Sequence, residues 1–153
     1  MSWLRGPAVA GRYLMLWKFL AMSKFKFPTD LDFVKKASKK VLDDLADVKL
    51  DELAIFHIKL CFEEAFINAV KYGSKSDSRL SVNIEVVKKD KEVEVVVSDQ
   101  GKGFDFTQSS DPTTEENRDK LGGREVFLIK NLMDKVIFEK NGSCVRMVQK
   151  INA

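Results

Sequence analysis

Apolar positions along the chain first recur at the helical period. Between Thr29 and about Ala46, Leu31, Val34, Val41, Leu42 and Leu45 fall on one stripe, and Thr29 or Asp30 can cap the start. A polar DVKLD turn follows. From Glu52 to about Tyr72 the residues are apolar around more than half of a helical circumference, with Leu53, Phe56, Leu60, Ile67 and Val70 along one side, which predicts a mostly buried helix. The period then drops to two. Val82, Ile84 and Val86 alternate with polar partners, a KKDK turn intervenes, and Val93, Val95 and Val97 alternate with Glu92 and Glu94, predicting two antiparallel strands. Residues 105–123 are polar and read as a long loop. Helical spacing returns from Val126 to about Met133. Val136 and Phe138 then begin a strand that Asn141-Gly142 turns back into Val145 to Val148.

The predicted order is therefore helix, helix, strand, strand, loop, helix, strand, strand. Such an order fits an α+β two-layer sandwich, with one mixed, mostly antiparallel sheet and its helices packed on a single face. No internal repeat or low-complexity tract interrupts it.

Composition narrows the function. A chain of 153 residues, 44% hydrophobic and 32% charged, supports one self-sufficient core. Arg5, Arg12 and Lys18 in residues 1–21 account for the whole formal net charge of +3, so the rest is balanced. With no basic stripe interleaved with aromatics, direct nucleic-acid binding is not expected. Cys61 and Cys144 lie far apart in sequence and form no CxxC pair, which argues against a disulfide framework or zinc knuckle and for a cytoplasmic setting. His57, the single histidine, has no companion for a multi-histidine metal site and reads as an ordinary helix residue.

Residues 1–24 stand apart as a loosely ordered or mis-assigned extension ahead of a body at 25–153. Their apolar runs, broken by Arg12 and Lys18, are too short for a membrane span and the wrong pattern for a signal peptide. A basic amphipathic helix resting on a membrane surface is the alternative reading.

Leu60, Glu64 and Asn68 form an i, i+4, i+8 row with Ile67 beside them, which places an acid and an amide on a largely apolar face. An unpaired buried carboxylate costs several kcal/mol, so a metal, a ligand or a partner donor is expected there. The helix alone leaves a second reading open, in which it rotates and Glu63 or Glu64 faces water. At the exit of the second strand, Asp99 shares a pleat face with Val93, Val95 and Val97, and Gly101-Lys102-Gly103-Phe104 follows at once. Glycines admit a ligand close to the backbone, so an acid followed by GxG at a strand exit suits a planar ring bound edge-on. Taken alone this motif is common in turns. Its force comes from the pairing with Glu64 and Asn68 and with Gly122-Gly123-Arg124 ahead of the next helix.

The blocks EEAFINAVKYG, SDQGKGFDF and LGGREVFLIKNLMDKVIFEKNGSCVRMVQK together resemble the anti-sigma-factor serine/threonine kinases of the GHKL, or histidine-kinase-like, ATPase superfamily, over about residues 24–151. The resemblance implies a Bergerat-type fold binding ATP and Mg²⁺. It places Glu64 as general base, Asn68 as the magnesium ligand and Asp99 as the acid that reads the adenine amino group. Gly101, Gly103 and Phe104 would line the ring, and Gly122, Gly123 and Arg124 would face the phosphates. It further implies a homodimer that sequesters a sigma factor and phosphorylates a STAS-type anti-anti-sigma factor. Two positions depart from the family pattern: Glu125 stands where GGRG would end in glycine, and Tyr72 where histidine is common. Glu125 puts a negative charge near the phosphates, or else serves as ordinary first-turn helix chemistry.

Three other readings compete: a nucleotide-gated binding module without kinase activity, a stand-alone ATP hydrolase, and a small ligand-free domain. A sensor histidine kinase fits poorly, because no helical hairpin carries a phospho-acceptor histidine.

Overall fold

The computed structural model describes residues 21–73, 77, 79–100, 129–140 and 143–151. Strand β1 (Ala21–Pro28) leads through a 3₁₀ turn (Leu31–Phe33) into α1 (Val34–Asp44) and then α2 (Glu52–Asn68), which runs on into a π turn (Ala69–Gly73). Strands β2 (Ser81–Lys88), β3 (Glu92–Ser98), β4 (Lys135–Glu139) and β5 (Cys144–Lys150) complete the sheet, and residues 129–132 are helical. The strand order is β1-β2-β3-β5-β4, and every neighbouring pair is antiparallel.

The α+β two-layer expectation is borne out. Val82, Ile84, Val86, Val93, Val95, Val97, Val145 and Met147 share one core with Ala37, Val41, Leu45, Ile58, Phe62 and Phe66 of the helices. The valine alternation of β2 and β3 dictates this, since a period of two delivers every second side chain to the same face. Asp90-Lys91 makes the β2–β3 turn, with the Lys89 N–H donating to the Glu92 carbonyl at 2.9 Å. The β4–β5 hairpin is wider than a two-residue Asn-Gly turn. Its register pairs Glu139 with Cys144, and Lys140 takes a left-handed φ of 52°.

Each helix is fixed by a local device. Asp30 caps the 3₁₀ turn by accepting from the Asp32 N–H at 2.9 Å, and Asp51 caps α2 by accepting from the Ala54 N–H at 2.7 Å. Thr29 does not cap. Its hydroxyl donates instead to the carbonyls of Asp77 and Leu80, tying the chain after the π turn to the end of β1. The C-terminal end of α1 receives Lys88, whose ammonium donates to the Asp44 carbonyl at 3.0 Å and so places positive charge where the helix dipole favours it.

Two expectations change. β1 crosses residue 24, where the sequence placed the edge of the folded body, and it brings Phe25 and Phe27 to the sheet. The helix expected to be mostly buried is also buried unevenly, and the apolar side named from the spacing is not the one that meets the sheet. Leu53 and Phe56 are 62% and 57% exposed, Leu60 and Ile67 are half-buried, and only Val70 of that set is fully inside. Ala54, Ile58, Cys61, Phe62, Ala65 and Phe66 make the contact instead. A helix that is apolar nearly all round has no preferred side by pattern, so packing against the sheet chooses it.

Candidate functional site

The site is built around the C-terminal half of α2. Along the row Phe56, Leu60, Glu64, Asn68, burial increases turn by turn from exposed through half-buried to buried. The helix therefore descends into the molecule and carries its acid and amide with it. Asn68 is only 6% exposed, and its carboxamide Oδ1 has no hydrogen-bond partner among the described residues. Burying an unsatisfied carbonyl oxygen costs about 1–3 kcal/mol. Asn68 is also the last α-helical residue before the backbone widens into the π turn, a local irregularity that often accompanies function.

Glu64 is half-buried one turn earlier. Its charge is felt by Cys61, whose thiol is pushed up to about 12, first by burial and then by the nearby Glu64 carboxylate. Glu63 is half-buried too, but it points to α1, where its carboxylate meets the Lys35 ammonium at 3.4 Å. The two glutamates are thus separated by their surroundings. Glu63 faces α1 and Lys35, and Glu64 lies on the row that ends in Asn68.

Asp99 follows β3 directly. Its N–H donates to the Ser143 carbonyl at 2.8 Å, so the β3–β5 ladder continues one residue past Ser98. The alternation that sends Val93, Val95 and Val97 into the helix-side core thereby carries Asp99 to the side of the sheet on which α2 packs. Next to it, the Gln100 Oε1 accepts from the Ser81 N–H at 2.8 Å, anchoring the chain just ahead of Gly101. Sequence reasoning missed Gln100 and gave Thr29 a capping role instead of this one, because a side chain that positions backbone across the fold leaves no periodic signal.

Of the sequence-derived residues, Glu64, Asn68 and Asp99 are placed on the helix-side layer. Gly101, Gly103, Phe104, Gly122, Gly123, Arg124 and Glu125 lie outside the described residues. Tyr72 sits half-buried in the π turn. The donor set suits a hard cation that keeps most of its water: a buried carboxamide oxygen without a partner is the single protein ligand Mg²⁺ needs beside phosphate oxygens. Among the described residues, no cluster of three or more His, Cys, Asp or Glu forms a dedicated metal cage. No helix among them is long and apolar enough to cross a membrane.

Comparison with known proteins places this arrangement. Residues 27–149 match the family described as the histidine kinase-like ATPase domain. The serine-protein kinase RsbW of Staphylococcus epidermidis is 34% identical over 101 residues, covering 61% of this chain and 64% of the relative. The serine-protein kinase RsbW of Staphylococcus aureus strain Newman is 32% identical over the same shares. The chain thus spans less than two-thirds, 64%, of the length of these relatives. A crystal structure of the RsbU and RsbW domains of a Mycobacterium tuberculosis protein matches with a TM-score of 0.57 at 13% identity, covering 85% of this chain and 32% of that one, and so supports the fold. The chain belongs to the histidine kinase-like ATPase domain family.

Proposed function

We propose that this histidine kinase-like ATPase domain is an ATP-dependent serine/threonine protein kinase that acts on a STAS-type anti-anti-sigma factor and sequesters a sigma factor as a homodimer in the cytoplasm. The observation that carries the reading is the buried, unpartnered Oδ1 of Asn68, one helical turn beyond a half-buried Glu64. A ligand-free domain has no use for that pair. A nucleotide site does, and the similarity to serine-protein kinases gives the nucleotide a purpose.

In this reading Asp99 accepts a hydrogen bond from the exocyclic amine of adenine and repels the carbonyl oxygen of guanine, which selects ATP over GTP. Gln100 holds the chain beside it, so that Gly101 and Gly103 can approach the ring without a Cβ between. Asn68 offers its Oδ1 to Mg²⁺, which when bound would neutralise charge on the phosphates. Gly122 and Gly123 would supply backbone amides to the phosphates, and Arg124 a charged contact. Glu64 takes the proton from the attacking serine or threonine hydroxyl, and the remaining acceleration comes from positioning.

The test is transfer of labelled phosphate from ATP to a STAS partner. Glu64→Gln should lower the transfer rate about 10²- to 10⁴-fold while leaving nucleotide binding in place. Asp99→Asn should instead weaken ATP binding by about 1–3 kcal/mol. If the unaltered chain binds ATP and partner but transfers nothing, the nucleotide-gated binding module replaces the kinase, and Glu125 becomes the residue to revert to glycine.

A further inference from the structure

β3 leaves the sheet unevenly. Hydrogen-bonded pairs between β2 and β3 recur at every second residue, and the bond from the Lys89 N–H to the Glu92 carbonyl sets their phase: Val87–Glu94, Glu85–Val96 and Asn83–Ser98 follow. The next such pair would be Ser81 with Gln100. By then the main-chain ladder has stopped, and the Ser81 N–H meets the side-chain Oε1 of Gln100 at 2.8 Å, in the place that the Gln100 carbonyl would take. The Ser81 hydroxyl reaches the same oxygen at 3.4 Å. A carboxamide thus stands in for the peptide group of its own residue. Ser81 is 9% exposed, and a buried N–H needs an acceptor. The side chain supplies one, while the main chain bends away from β2 at residue 100.

On the β5 side β3 runs one residue further. The Asp99 N–H donates to the Ser143 carbonyl at 2.8 Å, and Ser143 is itself tied to its turn, its hydroxyl donating to the Lys140 carbonyl at 2.8 Å. Ser81 is anchored too. It follows Leu80, whose carbonyl accepts from both the N–H and the hydroxyl of the buried Thr29, each at 3.3 Å. Asp99 therefore sits between two fixed points, Ser143 through the main chain and Ser81 through Gln100. We propose that Gln100 is a positioning residue for nucleobase discrimination: by holding the Ser81 N–H it fixes where β3 leaves the sheet, and with it the direction from which the Asp99 carboxylate meets the base. This role rests on the reading of Asp99 as the acid that meets adenine. Gln100 acts through Asp99 and not on the ligand. A hydrogen bond that tells an amine from a carbonyl weakens steeply with angle, so a carboxylate that can swing aside loses discrimination before it loses all affinity.

The full chain is compared with Gln100→Met, which keeps the reach of the side chain and loses its acceptor, and with Gln100→Glu, which keeps the acceptor. Affinities for ATP and for GTP, each with Mg²⁺, are measured by calorimetry, and exchange of the Ser81 amide is followed by NMR. Gln100→Met should speed Ser81 exchange and lower the ratio of ATP to GTP affinity about tenfold or more. Gln100→Glu should keep both close to those of the unaltered chain, since its added charge weakens the two nucleotides alike and drops out of the ratio. A side chain that only closed the end of β2 would change exchange and melting temperature and leave the ratio alone, and that result overturns the proposal. Equal loss of the ratio in both variants overturns it as well, because the acceptor would then not be what matters. If the unaltered chain binds neither nucleotide, or both equally, the reading of Asp99 falls and this role with it. If it prefers ATP and Gln100→Met keeps that preference, only the role of Gln100 falls.

Discussion

The two ends of α2 obey opposite rules. Its first turns turn Leu53, Ile55 and Phe56 toward solvent, while its last turn buries a carboxamide oxygen that has no partner among the described residues. A helix arranged for stability alone would do the reverse. What holds it in place lies between the two ends: the Asp51 cap, then Ile58, Phe62 and Phe66 in the core. Phe66 stands edge-on to Phe27 with ring centres 6.4 Å apart and tilted against Phe62 at 6.1 Å. The middle of the helix is thus committed to the fold. Its C-terminal end carries a cost of the sort that a ligand offsets.

That contrast can be broken at several points. The largest effect is expected in the middle, where Phe66→Ala should lower unfolding free energy by about 3–5 kcal/mol in a denaturant titration. At the buried end, Asn68→Leu should leave stability unchanged or raise it by about 1 kcal/mol, since an unsatisfied oxygen is removed. The same variant should lose magnesium-dependent nucleotide binding, read by calorimetry with and without Mg²⁺. A destabilised Asn68→Leu protein would mean that the carboxamide serves the fold. Cys61 gives a pH-dependent check. Its thiol is raised from 9.0 to about 12, so the folded chain holds that proton more tightly than the unfolded one. Stability should be fully present below pH 9.0 and fall as pH rises from there toward about 12. Cys61→Ala should flatten this part of a melting-temperature profile. The smallest effect belongs to the exposed end, where Phe56→Ser should shift stability by no more than about 0.5 kcal/mol.

Much of the fold could be read from the sequence, because β2, β3 and β5 obey a strict alternation. A period of two also fixes which face each valine takes. β1 escaped because its alternation, Lys24-Phe25-Lys26-Phe27, is short and sits against an apolar segment of different character. The side of α2 escaped for the opposite reason, as a surplus of apolar residues leaves the pattern without direction. Within the site, the spacing of Glu64 and Asn68 was legible and the depth of each was not. Depth depends on the tilt of the helix against the sheet, which no residue spacing records. The separation of Glu63 from Glu64 likewise required Lys35, a residue of another helix.

The pairing of β1 with β2 sets the order in which the chain assembles. The β2–β3 pair closes through a two-residue turn, whereas β1 meets β2 only after both helices have been traversed. Local hairpins form in microseconds and distant pairings wait for loop closure. The edge strand that begins beside the N-terminal segment therefore joins the sheet after the β2–β3 hairpin, and amide hydrogen exchange should run faster along Ala21–Pro28 than along β3.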